Sequence, residues 1–438
     1  MRRRTGTTDM DKPTTLRRVL GWREGAALTI ASVLGTGVLY LPALTAENAG
    51  PAGLLAWFGM GLLIIPLALT LARLSTQTPD AGGIAAFVRM AFGAPGGAAA
   101  GWLFLGTVPL GAPIAALIGA GYLEAAFGWS ARVGVGVAAL LLLVAVVLNV
   151  VGVQISGRAA TMVVVLIALL LLAAVAIGSV HLRAANFLPF WPHGLVPVGT
   201  DLALLFWAFV GWEAVANYAE EFAHPARDLT RSMFISIAVI DVLYLLLAVV
   251  TVGTHAYGGA RGQDALAVML GQAAGRVGVA GTAILALLVT YGTIHAYVGS
   301  FARLAYAQAR AGDFPPGLAA LHARFHTPVR ALLTLGAVFA VVLAIDAWHP
   351  FALSRLIGWS AAVFIGLYVL AMLAGMRTLP HRNERLTALL ALVVCLGAMP
   401  FLGWDGVYPA GLAAVGVGVH ALFHRRSAIR SGGYSPDQ

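Results

Sequence analysis

Two glycine-bearing interruptions in long apolar stretches carry the residues best suited to chemistry. The first is Leu34-Gly35-Thr36-Gly37; the second is Val210-Gly211, with the carboxyl of Glu213 just past it. Where a helix unwinds inside a bilayer, each freed N–H or C=O costs several kcal/mol unless protein, water or a bound solute satisfies it. At Leu34 to Gly37 a second half-helix begins. Its first amides lie at the positive end of a helix dipole and Thr36 adds a hydroxyl, which suits a carboxylate. At Trp207 to Gly211 a half-helix ends, and its last carbonyls suit an ammonium group. Two such ends facing each other fit the zwitterionic end of an α-amino acid. The competing reading is that these glycines only allow close helix packing; the paired placement of the breaks and the adjoining Glu213 favour a solute site.

These residues must be held by helices that cross a membrane. Of 438 residues, 60% are hydrophobic and only 10% charged, well below the roughly 25% charged of soluble domains. Apolar runs long enough to cross a hydrocarbon core of about 30 Å recur from near Ala26 to Phe423, and about twelve spans are expected. The first follows a polar, basic stretch without a small-residue cleavage site, so it reads as a retained span and not a signal peptide. Residues 1–22 read as a cytoplasmic basic tail, 23–425 as the transmembrane domain and 426–438 as a second cytoplasmic tail. The segment 79–93 is too polar and glycine-rich to span and is expected as an interfacial helix. The third span should kink around Pro109, Gly111 and Pro113.

The net charge of +9 is explained by basic residues flanking spans, so no nucleic-acid partner is expected. With Arg132, Arg183, Arg261, Arg276 and Arg355 outside and the other basic residues inside, both termini are expected in the cytoplasm. The single cysteine, Cys395, lies in an apolar run, which leaves no disulfide framework and no multi-cysteine metal site within one chain. No cofactor and no metal is expected. The two breaks fall at corresponding depths of spans one and six, which an offset of five spans sends across in opposite directions. That is the pattern of an inverted repeat of five plus five, about 23–182 and about 200–376, with two further helices at about 385–425.

The stretches LGTGVLYLPA (34–43), PDAGGIAAFVRMAFG (79–93), FWAFVGWEAVANYAEEFAHPARD (206–228) and SFARLAYAQARAGDFP (300–315) resemble the amino acid–polyamine–organocation transporter superfamily, most closely the bacterial exporters of L-methionine and branched-chain amino acids. The resemblance covers about 20–425 and implies an all-α integral membrane protein of LeuT-like fold with spans one and six discontinuous. It implies that Gly35, Thr36 and Gly37 bind the substrate carboxylate. Carbonyls near Trp207, Ala208 and Phe209, at the break marked by Gly211, would bind the amino group. Trp207 would also be an aromatic gate or side-chain contact, Ser32 a substrate contact one turn before the break, and Tyr297 an aromatic gating residue.

Four ionisable residues are weighed singly. Glu213, at mid-membrane, is read as a coupling or gating group that takes up and releases a proton; the alternative is a permanently paired carboxyl. Asp241 reads as a packing carboxyl. His295, among Thr293, Tyr297 and Ser300, reads as a hydrogen-bonding residue lining the cavity, with proton carriage as the alternative. Arg158 falls where some proton-coupled members of the family carry a lysine. Arginine keeps its charge, so it is either a fixed cation or an orientation anchor.

The reading is a secondary active transporter of neutral hydrophobic L-amino acids in the bacterial cytoplasmic membrane, probing its substrate with Pro109, Phe209, Trp212 and Phe364. Export and proton coupling follow from the resemblance alone, and the protein is expected as a monomer or homodimer. An uptake permease or exchanger of the same fold is the alternative. A membrane-embedded enzyme would need a nucleophile or metal constellation, and a passive channel a row of polar residues along one span; the spans carry neither.

Overall fold

A computed structural model describes Leu16 and residues 18–258, 265–349 and 353–431. Most of the basic tail and the last residues of the second tail lie outside this range. Every regular element described is helical: α1 (Trp22–Val33), α2 (Gly37–Ala49), α3 (Gly53–Gln77), α4 (Ile84–Leu105), α5 (Val108–Phe127), α6 (Ala131–Val151), α7 (Val153–Ser179), α8 (Val196–Ala208), α9 (Trp212–Ala216), α10 (Pro225–Thr254), α11 (Ala265–Arg310), α12 (Val329–Trp348), α13 (Leu353–Thr378), α14 (Arg382–Ala398) and α15 (Val407–Ser431), with short 3₁₀ turns between some of them. Among the described residues, eight helical runs are long and apolar enough to cross a membrane.

The apolar composition dictates this architecture, because a chain in hydrocarbon has to satisfy its backbone internally. The same composition leaves large apolar side chains facing outward, such as Leu140, Leu143 and Val147 along α6, where lipid and not water is the neighbour. Small residues bring the interior helices together. The interrupted pairs α1/α2 and α8/α9 lie beside each other at the centre: α2 packs on α8, and α1 packs on α7, α10, α11 and α9. Around them, α5 packs on α11, α3 on α8 and α10, and α4 on α13 and α15.

Two local features differ from the sequence expectation. The segment after α3 does form a short helix, Ile84–Phe92, which the kink at Gly93 (φ 82°) sets off from the third span; only glycine holds that backbone without strain. The third span breaks at Gly106-Thr107 and not at its prolines. Pro109 sits in the first turn of α5, where a missing N–H costs nothing. Beyond its break, span six is a short turn of helix, α9, followed by a 3₁₀ turn at Ala219–Glu221.

The first described residues pack against the end of span six. There Leu20 pairs with Phe222, Val19 and Leu20 donate to the Glu221 carbonyl at 2.8 and 2.9 Å, and Ala223 donates back to Leu20 at 2.9 Å. Nearby, the buried Asp313 accepts from Arg89 of α4 and is joined to His420 of α15 at 2.7 Å.

Candidate substrate site between the helix breaks

A cavity of about 570 Å³, open solvent included, lies between the two breaks. One wall is the first break: Ser32, Val33, Gly35, Thr36 and Gly37. A second is Trp207, Ala208 and Val210. The remainder comes from Thr107 at the break before α5, from α5 (Gly111, Ala112, Ala115), α11 (Thr293, Ile294, Tyr297, Phe301) and α13 (Ser360, Phe364). None of the lining side chains is charged.

The breaks are packed against each other. A Cβ on Gly37 would stand 3.1 Å from Ala208 Cα, and one on Gly211 would stand 2.7 Å from Val33 Cγ2 and 2.8 Å from the Ser32 carbonyl carbon. Gly211 also holds φ 137°, a region that side chains disfavour. Glycine is therefore required there twice over, for approach and for conformation.

The backbone groups at the breaks divide into occupied and open. Leu34 N–H donates to Ile30 at 2.7 Å and Gly35 N–H to Val33 at 2.6 Å, whereas Thr36 N–H and Gly37 N–H take no backbone acceptor among the described residues. On the other side, Trp207 C=O accepts a long bond from Val210 N–H at 3.4 Å. The Ala208 carbonyl is taken by the Tyr244 hydroxyl at 3.0 Å, and the same hydroxyl donates to the Val33 carbonyl at 2.7 Å. One phenol on α10 thus bridges the terminal carbonyls of α1 and α8. Its ring is fixed edge-on against Trp57 and Phe209, with centroids 5.4 and 5.0 Å away.

Glu213 sits behind the cavity and does not line it. It is fully buried, accepts from Tyr297 Oη at 2.7 Å and from Gly211 N–H at 3.1 Å, and is hydrogen-bonded to Tyr368 Oη. Tyr297 lines the cavity and touches Glu213 with its hydroxyl, so it links the two directly.

The structure brings Ser32, Gly35, Thr36, Gly37, Trp207, Ala208 and Tyr297 to one cavity, with Gly211 packed behind Ser32. Ser32 Oγ donates along its own helix to Leu28 at 2.8 Å, leaving its lone pairs as acceptors. Phe209 turns its ring away to Trp57 and Tyr244. His295 does not line the cavity: its Nδ1 lies 3.3 Å from Asn149 Nδ2 of α6 and 3.4 Å from Tyr291 Oη. The side chain of Arg158 lies outside the described residues. Of the side-chain contacts expected from sequence, Phe364 is at the cavity, while Pro109, Trp212 and Phe209 are not among its lining residues. Sequence reasoning missed Tyr244, Tyr368, Thr293, Ser360 and Gly111. Thr293 ties α11 to the first break, donating to Ala31 at 2.9 Å with Leu34 at 3.3 Å.

The amino acid permease family model matches residues 20–419. The chain is 40% identical over 405 residues to the uncharacterized amino acid permease YecA of Bacillus subtilis, covering 92% of this chain and 95% of that one. It is 34% identical over 426 residues to the L-methionine/branched-chain amino acid exporter YjeH of Escherichia coli, covering 95% and 99%. Its fold is similar to that of MhsT, solved in complex with L-phenylalanine, with a TM-score of 0.68 at 15% identity over 89% of this chain and 99% of that one. Helix breaks around an uncharged cavity, the matched family model and these two relatives lead to one assignment: the chain belongs to the amino acid permease family of the amino acid–polyamine–organocation superfamily and is an amino acid transporter of LeuT-like fold, not an enzyme.

Proposed function

We propose that the chain moves neutral hydrophobic L-amino acids, namely methionine, leucine, isoleucine and valine, across the bacterial cytoplasmic membrane by alternating access, as an exporter. The observation that carries this reading is the cavity itself. It offers open amides and a hydroxyl at Thr36 and Gly37 for a carboxylate, and a nearby carbonyl at Trp207 for an ammonium group. For the side chain it offers small, aliphatic, hydroxyl-bearing and aromatic walls, none of them charged. A charged substrate side chain would lie there without a counter-ion, at a desolvation cost of several kcal/mol. The likeness to YjeH, a methionine and branched-chain amino acid exporter by name, supports the same substrates and the outward direction. The paired breaks at Gly35–Gly37 and Phe209–Gly211 support an inverted repeat of five plus five helices with two appended, about twelve spans in all.

Proton coupling through Glu213 is part of this reading, supported by a buried carboxyl one hydrogen bond from the cavity wall. Counterflow in proteoliposomes tests the function. Unlabelled methionine or leucine on the far side should accelerate entry of the labelled amino acid, while arginine and glutamate should not. Equal rates with and without trans substrate would leave no alternating access to explain.

A further inference from the structure

The cavity has two unlike walls, and their difference bears on which side chains fit. Thr107, which caps α5, and Gly111 and Ala115 within it recur at four-residue intervals and so share one helix face; all three line the cavity. The aromatic wall is formed by Tyr297, Phe301 and Phe364. Phe104 lies behind it, with its ring centroid 5.2 Å from Phe301 and 5.9 Å from Phe364, so those rings are braced against retreat.

Gly111 is unlike the other glycines at the site. A Cβ on Gly37 or Gly211 would meet protein, whereas a Cβ on Gly111 would meet no atom within 4 Å, although the residue lines the cavity. It lies inside the helix with its N–H bonded to Thr107 at 2.7 Å, so neither a turn nor close packing calls for glycine. The space in front of it is open cavity.

We infer that Gly111 sets the depth of the side-chain subsite, and that its missing side chain is what admits long flexible side chains such as those of methionine and leucine between α5 and the aromatic wall. This rests on the transport reading above and adds the residue that determines size. The ring wall also favours a thioether, since sulfur makes attractive contacts with aromatic rings. A branched side chain at 111 would fill the far end of the slot and leave room only for short substrates.

The test uses the full-length protein in proteoliposomes, with alanine, valine, leucine, methionine and phenylalanine as competitors in counterflow. In Gly111→Val the half-inhibitory concentrations of leucine, methionine and phenylalanine should rise at least about tenfold, the scale at which a filled methylene position discriminates, while alanine changes less than about threefold. Gly111→Ala, which improves helix propensity and should fold at least as well, should shift the longest side chains first and by less. A uniform shift across the panel, or an unchanged ranking in both variants, would overturn the inference while leaving the transport reading intact. If the wild-type protein takes none of the five, both fail together.

Discussion

Glu213 accepts hydrogen bonds on both carboxyl oxygens while lying wholly out of contact with solvent. Its donors come from three places: the break itself, α11 and α13. A carboxylate held this way fixes the break, and a proton added to it would make it a donor and disturb at least one of those bonds. Tyr297 joins this group to the cavity wall. Glu213→Gln should therefore flatten the pH dependence of transport while leaving substrate binding, read by ligand-induced thermal stabilisation, within about tenfold, since one neutral hydrogen bond is worth only about 0.5–1.5 kcal/mol. Unaltered pH dependence in a variant that still transports would remove the coupling role.

At the scale of elements, the central relation is between the two broken helices. Each first half ends with carbonyls pointing toward the other, at the negative end of its dipole, and the single Tyr244 proton lies between them. That phenol sits on α10, outside both broken helices, so it ties them to the surrounding bundle. Tyr244→Phe keeps the ring and its stacking on Trp57 and Phe209 but leaves two buried carbonyls without their shared donor. The expected cost is about 1–3 kcal/mol, read as a lowered unfolding temperature in detergent together with weaker amino acid binding, because the Ala208 and Val33 carbonyls would no longer hold the walls in register. Binding and stability equal to wild type would mean that water replaces the hydroxyl at no loss.

At the scale of the whole molecule, ion pairs join α11 to the far end of span six, where Leu20 meets Phe222. Arg303, fully buried on α11, pairs with Glu221, donates to the Gly299 carbonyl at 2.9 Å and stacks over Tyr218 at 4.1 Å. Glu220 beside it accepts from Arg310 at 3.3 Å and from Ala81 N–H at 3.1 Å. A buried pair contributes little net stability, yet removing one partner strands the other. Glu221→Gln and Arg303→Met should each destabilise by about 3–5 kcal/mol, and the double variant by clearly less than the sum. Denaturation measured as a double-mutant cycle checks this, and additive losses would show that the two residues do not act as a pair. Because opening this end would separate span six from α11, transport rates in the surviving variants report on the same contact.

The amino-acid sequence by itself determined that the protein is an all-helical membrane protein, since its apolar runs leave a chain in hydrocarbon no other way to satisfy its backbone. Four ordered motifs were enough to identify the superfamily and its fold. Gly35, Thr36 and Gly37 stood out because glycine inside an apolar helix demands an explanation. What the tertiary structure alone decided is which face each helix turns inward. A helix that is apolar all round carries almost no amphipathic signal, so nothing in one dimension separates Gly111, open to the cavity, from the many glycines facing lipid or packed on neighbours. For the same reason Phe209 and Trp212 are expected as pocket walls although neither lines the cavity, and nothing in one dimension marks Tyr244 and Tyr368, whose hydroxyls hold the break and Glu213. His295 was read into the cavity from its polar neighbours along the chain, but helix rotation turns it to Asn149 of α6. Composition determines that such a helix is buried; only packing against its neighbours determines where each side chain points.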